Sequence, residues 1–401
     1  ITPLHQIVWN IILYTFVTAW VTILVVSVAG CVFLRWTPAS PGLYPSRGLK
    51  GHLLLYRVKL MDQIQRMWTW SIIGQYLRTL AGVRFAHPGA SECDVMLNLV
   101  PELTRADSQV FWAHGGFTNM LDQGAEHLTL RRVDMPANSF FSNNCVAEYG
   151  QFPNTFLLGV STPASDIRFK RQMRSRLGES ITVAGNPPVK FGSADFEAEK
   201  DAQVLPGFPL FLARVSLHDA FAIGILPITG VLVFAILYTL LLGLGAHAVV
   251  SALLAMFLEV FALVALTALL KRVVVGSRWG SAHSTPFWSL RHFSYFFVQD
   301  CFFAWCGMPL RALAGTVLSN PILRWMGCRI GRRTIVAAPL QAYDWNAVSF
   351  GDECIIDGSL QLHTLENMTL RVTRTEIQDR SSIGFGTTVM GGAVIEPETV
   401  L

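Results

Sequence analysis

The chain has 401 residues, of which 52% are hydrophobic and only 14% charged, against about 25% charged in soluble domains. The formal net charge is +4 and the basic residues gather beside apolar segments, which excludes a nucleic-acid-binding stripe. Seven scattered cysteines without a Cys-x-x-Cys pair exclude a disulfide framework and a thiolate zinc site.

Residues 6–34 carry no charged side chain, and a helix needs roughly 20 apolar residues to cross a bilayer. The stretch is too long for a signal-peptide core and no cleavage site follows it, so residues 1–35 predict a transmembrane helix. Residues 36–80 predict linking helices, with an apolar stretch at 53–64 suited to the headgroup layer or to packing on the next domain. Residues 81–200 predict a degenerate β-helix domain. There Phe140, Val146, Phe152 and Leu158 recur every six residues, and the polar stretch 163–188 leaves the coil.

Residues 201–272 predict a helical hairpin. Residues 220–246 are uncharged, 248–270 hold only Glu259, and a Gly-Leu-Gly-Ala-His turn joins them at 243–247. Glu259 at mid-span reads either as part of a proton or substrate path or as a paired carboxyl. Residues 273–322 predict a second set of linking helices. Residues 323–401 predict a second β-helix domain, with two trains of apolar residues: Ile330, Val336, Ala342, Val348, Cys354 and Leu360, then Ile377, Ile383, Val389, Ile395 and Leu401. Helices repeat at 3.6 and strands at 2, whereas a period of six fits the sides of a triangular parallel coil. The fold class is therefore transmembrane helices alternating with two left-handed parallel β-helix, or hexapeptide-repeat, domains.

The two halves parallel each other: Gly82-Val83-Arg84-Phe85 matches Gly327-Cys328-Arg329-Ile330. The second unit has two spans and the first has one, so a further span is expected before Ile1. Arg35, Arg47, Lys50, Arg57 and Lys59 follow the first span, and Lys271, Arg272 and Arg278 follow the third. The positive-inside rule then places both soluble segments on the cytoplasmic side, where the Asn367-Met368-Thr369 sequon is not glycosylated.

Chemistry on a β-helix is expected where a loop breaks the coil. The break lies at residues 361–372 and contains His363, with Asp357, Gln361 and Glu366 nearby. An imidazole that titrates near neutrality and is oriented by a carboxylate suits general base work. Asp344 lies one coil earlier, and stacking of neighbouring coils would bring it to His363. Asp352 and Asp357 read as turn residues or, for Asp357, as a substrate-binding group. In the first domain His114-Gly115 takes the place of Asp357-Gly358, Met120 falls where His363 stands, and His114 or His127 would have to substitute. His218, His247, His283 and His292 lie at membrane edges or linkers. No metal-ligand spacing, phosphate-binding glycine loop or Gly-x-Ser-x-Gly elbow is present.

The run Leu323-Arg324-Trp325-Met326-Gly327-Cys328-Arg329-Ile330-Gly331-Arg332-Arg333 resembles the coil entry of hexapeptide-repeat acyltransferase-like domains. Its continuation runs through Tyr343-Asp344, Gly351-Asp352, Asp357-Gly358, Gln361-Leu362-His363 and Leu365-Glu366-Asn367. Together with the alternating spans, these motifs resemble the terminal membrane region of poly-lysine-synthetase-type nonribosomal peptide synthetases. The resemblance is specific in the second domain and looser in the first, where Ala184-Gly185-Asn186-Pro187-Pro188 fits the family's Pro-Pro stretch. It implies membrane-bound amide formation between a carrier-bound aminoacyl thioester and an amine. His363 would be the base, and Asp344 or Glu366 its orienter or an amine anchor. The phosphopantetheine arm of a carrier domain is the implied cofactor. The implied partners are carrier and adenylation domains, an amino-acid or peptide amine and the lipid bilayer, with homo-oligomers possible and no nucleic acid. The chain departs from the pattern at Leu362, where a small polar residue is expected, and it holds no adenylation or carrier domain. A coenzyme A-dependent O- or N-acyltransferase is the alternative enzyme, and a non-catalytic scaffold or export module the alternative of another class.

Overall fold

The chain divides into two units, Ile1–Lys200 and Asp201–Leu401. The computed structural model describes most of residues 4–191 and 226–401. Residues 163–179, 192–225, 277–282, 338–343 and some shorter stretches lie outside the described residues.

In the first unit, α1 (Leu4–Trp36) has an apolar run, Val17–Trp36, long enough to cross a bilayer. Val21, Val25 and Val26 are exposed along it, unlike the apolar residues of a core helix. Its opposite side packs on α2 (Leu49–Met67): Gly30 meets Ile64, and the Trp68 indole N–H donates to Ser27 Oγ at 2.9 Å. Leu54, Val58, Met61 and Ile64 are buried on α2, at the i, i+4, i+7 spacing of one helix face. Helix α3 (Ile72–Ala81) is capped by Ser71, whose hydroxyl accepts from the Gly74 N–H. It stops at Gly82, whose φ of +123° suits glycine.

Three short parallel sheets follow. Strands Arg84–Phe85, Thr104–Ala106, Val133–Met135 and Gly150–Gln151 form one. Glu92–Cys93, Phe111–Trp112, Phe140–Phe141, Thr155–Leu158 and Ser180–Ala184 form the second, with Val189–Phe191 antiparallel at its edge. Met96–Leu97, Gly116–Thr118 and Val146–Ala147 form the third. Strands Leu121–Gln123 and His127–Leu130 leave this stack as an antiparallel hairpin, which Gly42–Pro45 extends. Gln65 covers the first strand edge much as another strand would: its amide donates to Met96 O at 3.0 Å and accepts from Met96 N at 3.3 Å.

Asp62, buried beside it on α2, accepts from the Asn98 N–H at 3.1 Å. Burial pushes its carboxyl up to about 6, against the pull of Asn98, Lys59 and Arg66. A carboxyl raised in the folded state costs stability once it ionises. The cost is absent below the usual carboxyl pKa of about 4, grows from there to about 6, and is complete above that. Asp62→Asn keeps the shape and the acceptor. It is therefore expected to be more stable than the parent at pH 8 by about 2 kcal/mol, converging with it near pH 4. Thermal melts in detergent at the two pH values check this, and a pH-independent difference would contradict it.

In the second unit, α4 (Leu226–Gly243) and α5 (Ala248–Leu270) form a helical hairpin. Helix α5 continues through a π turn, Lys271–Val275, giving an apolar run long enough to cross a bilayer. The apolar run of α4, Ile228–Gly243, is too short for that. Two such helices are therefore present among the described residues where the sequence suggests three, because the first turns of the expected second span fall outside them. The half-buried Glu259 carboxyl lies against Gly230 of α4. Helix α6 (Leu290–Cys301) is capped by Ser289, whose hydroxyl accepts from the His292 N–H. A π turn, Phe302–Cys306, leads to the short helices α7 (Gly307–Leu313) and α8 (Ser319–Trp325).

The arrangement of sheets then recurs. Arg329–Ile330, Val348–Phe350, Thr375–Ile377 and Val394–Ile395 form one parallel sheet. Ile335–Val336, Ile355–Ile356 and Ser382–Ile383 form another, and Ser359–Gln361 pairs with Thr388–Met390. The hairpin of His363–Glu366 and Thr369–Val372 leaves the stack, extended by His283–Pro286. Glu376 pairs with Val394, eighteen residues on, or three six-residue sides.

The register corrects the first apolar train. Ile330 pairs with Phe350, not Val348, and Val336 with Ile356, not Cys354. The connection before Val348 is two residues longer than a strict period allows. Val348 and Cys354 are buried at a second inward position, level with Thr375 and Ser381, while Leu360 stays in phase with Val389. Ala342 lies outside the described residues. In the first unit the buried residues are Phe141 and Ala147, one later than the expected Phe140 and Val146, Leu158 is buried as expected, and the Phe152 position is outside the described residues.

Candidate active site

His363 is the first residue of the strand that leaves the second stack. Leu362 before it is fully buried, and its carbonyl accepts from the Thr373 N–H at 3.2 Å. An apolar side chain there anchors the exit of the hairpin in the core, which accounts for a leucine where a small polar residue is expected. Asp344 stands at the N-terminal end of a single 3₁₀ turn, Trp345–Ala347, with its carbonyl accepting from the Ala347 N–H at 2.7 Å. The turn leads into Val348–Phe350 and holds the aspartate side chain inside the unit.

His363 Nδ1 lies 2.8 Å from Asp344 Oδ2, and the imidazole side chain is 21% exposed while the carboxylate is 0% exposed. A buried carboxylate accepts the Nδ1 proton, which puts the ring's lone pair on Nε2. The Gln361 amide nitrogen is 3.4 Å from Nε2 and donates to the His363 carbonyl at 2.9 Å. Tyr295, from α6, donates its hydroxyl to Asp344 Oδ1 at 2.6 Å, so both carboxylate oxygens are engaged. Lys271, at the end of α5, is buried and donates to Met326 O at 2.8 Å and Asn346 Oδ1 at 2.9 Å. Its ammonium attracts Asp344. Charge balance and full hydrogen bonding are what allow a carboxylate to sit ionised without water. An oriented, partly exposed imidazole can act as a general base.

Asp344, His363 and Gln361 are thus brought together. Asp357 is exposed at a corner of the stack, where its backbone N–H donates to Ile383 O at 2.8 Å. No contact joins it to His363 among the described residues. Asp352 is a turn residue: its Oδ1 accepts from the Arg332 N–H at 2.7 Å, and its own N–H donates to Asp379 Oδ1 at 2.7 Å. Glu366 occupies the hairpin strand opposite Thr369, and its side chain lies outside the described residues, as does His114. His127 is exposed on the first hairpin, opposite Pro45.

The count that put Met120 in the place of His363 is one residue out. Met120, fully buried, matches Leu362: its carbonyl accepts from Arg131 N as that of Leu362 accepts from Thr373 N. The counterpart of His363 is Leu121, which pairs with Leu130 as His363 pairs with Val372. The shift arises because the corner after Trp112 is longer than the corner after Ile356.

Tyr295 and Lys271 escaped the sequence reading. Each sits in or beside an apolar helix far along the chain from Asp344, and nothing local marks either one. Comparison of the chain with protein-family models, curated proteins and solved structures gives no match.

Proposed function

We propose that the second unit is a left-handed parallel β-helix that catalyses amide formation between a carrier-bound aminoacyl thioester and the amine of an amino acid or growing peptide. It would be the terminal part of a nonribosomal peptide synthetase of the poly-lysine type. The observation that carries this reading is the 2.8 Å pairing of His363 Nδ1 with the buried Asp344, with the imidazole itself partly exposed. The eighteen-residue rung between Glu376 and Val394 supports the β-helix. Nε2 takes a proton from the attacking nitrogen as it forms the C–N bond. The tetrahedral intermediate then expels the thiolate of the phosphopantetheine arm, breaking the C–S bond, and the thiolate takes the proton back from the imidazolium. Gln361, beside Nε2, is the group placed to bind the incoming substrate. The two apolar helices and the Lys and Arg residues that follow them support a multi-pass protein with its soluble units on the cytoplasmic side.

The test supplies the purified chain in detergent with an aminoacyl group on a phosphopantetheinylated carrier and with the free amino acid. A new amide, detected by mass spectrometry and absent with Asp344→Ala, is expected. Turnover with free acetyl-coenzyme A and none with the loaded carrier would replace this reading by a coenzyme A-dependent acyltransferase. No turnover with either donor would favour a scaffold or export module.

A further inference from the structure

We propose that Tyr295 is a positioning residue of this site, so that Tyr295, Asp344 and His363 form one hydrogen-bonded set whose three places are aliphatic in the first unit. The inference rests on the functional reading above for its catalytic meaning and on geometry for the rest. Asp344 gives one oxygen to His363 at 2.8 Å and the other to Tyr295 at 2.6 Å. The Tyr295 and His363 rings also meet edge to face, with centroids 6.3 Å apart. The tyrosine is buried, so its hydroxyl is committed to the carboxylate.

The internal repeat supplies a comparison within one chain. Val100 opens the 3₁₀ turn Pro101–Leu103 and accepts from Leu103 N, as Asp344 opens Trp345–Ala347 and accepts from Ala347 N. Leu121 stands in the place of His363. Gly48 caps α2 as Ser289 caps α6, each three residues after the proline that ends the edge strand. Counting six residues on gives Leu54 for Tyr295. Val100, Leu121 and Leu54 are all buried. All three polar members are therefore aliphatic in the first unit. An isolated hydrogen bond can be lost piecemeal, whereas a carboxylate buried with its partners cannot lose one without stranding the others. Joint replacement is the pattern expected of a set that works together.

The consequence is electrostatic. Among the described residues, Tyr295 from α6 donates to Asp344 and the Lys271 ammonium, from the turn after α5, attracts it. A donated hydroxyl holds Asp344 in place and draws charge away from the oxygen facing His363. Without it more of that charge falls on the imidazole, which favours the imidazolium.

The test is Tyr295→Phe, with Tyr295→Leu as a second variant that copies the first unit. In the detergent-solubilised chain with isotopically labelled histidine, the His363 resonances are followed by NMR against pH. The titration curve is expected to move to higher pH by about half a unit, a roughly threefold change in proton affinity. The acid limb of the amide-forming rate should move with it. Curves that superimpose on the parent in both variants would overturn the proposal. If His363→Ala keeps full amide formation while Tyr295→Phe still moves the curve, the hydrogen-bonded set stands and the catalytic reading fails. If His363→Ala is inactive and the curve does not move, the base stands and Tyr295 is only packing.

Discussion

His363→Ala is expected to lower kcat/KM for amide formation by about 10²–10⁴-fold, the range typical of a removed general base. The loss should fall mainly on kcat, because the base acts as the C–N bond forms and not while the thioester docks. The variant should still fold. The imidazole is partly exposed, and Asp344 retains the Tyr295 hydroxyl and the nearby Lys271 ammonium. Leaving the carboxylate one partner short is expected to cost on the order of 1–3 kcal/mol, read as a lower melting temperature. Added imidazole should restore part of the rate, since the partly exposed site opens to water. Activity within a few-fold of the parent would remove His363 from the chemistry.

Asp344→Asn is the second substitution with a large expected effect. It keeps volume but turns one of the two accepting oxygens, which face His363 and Tyr295, into an N–H donor, and it removes the charge opposite the imidazolium. A proton on Nε2 is then held less well, and the base weakens just when it is needed. The rate should fall by about 10²-fold or more, and the acid limb of the pH–rate profile should move to lower pH, opposite to the direction expected for Tyr295→Phe. The substitution also leaves the Lys271 ammonium without the carboxylate that balances it in a buried place, so stability should drop as well. A rate loss with an unmoved acid limb would point to damaged packing instead of lost charge. The opposite signs of the two variants make them a pair: one removes the charge, the other frees it.

The apolar helices and the recurring short parallel strands are legible because each is written into neighbouring residues. A span is a run of about 20 residues without charge, and a coil side returns an inward residue every six. The failures have equally local causes. Two extra residues before Val348 slip the count from Phe350 and Ile356 to Val348 and Cys354. A longer corner after Trp112 moves the counterpart of His363 from Met120 to Leu121. A period carries no information about insertions, and only hydrogen-bonded register restores the phase.

By itself, then, the sequence determined where apolar helices lie, that a six-residue repeat occurs in both halves, and that His363 sits in its break. Stacking of neighbouring strand rows, expected from the repeat, was enough to point from His363 to Asp344. Only the tertiary structure decided what closes the site. Tyr295 comes from a linking helix and bonds Asp344, and Lys271 comes from the end of α5 and attracts it, both brought there by packing between elements distant along the chain. Such contacts depend on how helices dock against a coil, and no spacing within either segment encodes that. The same holds for the first unit, where Val100, Leu121 and Leu54 are ordinary buried residues until register matches them to Asp344, His363 and Tyr295.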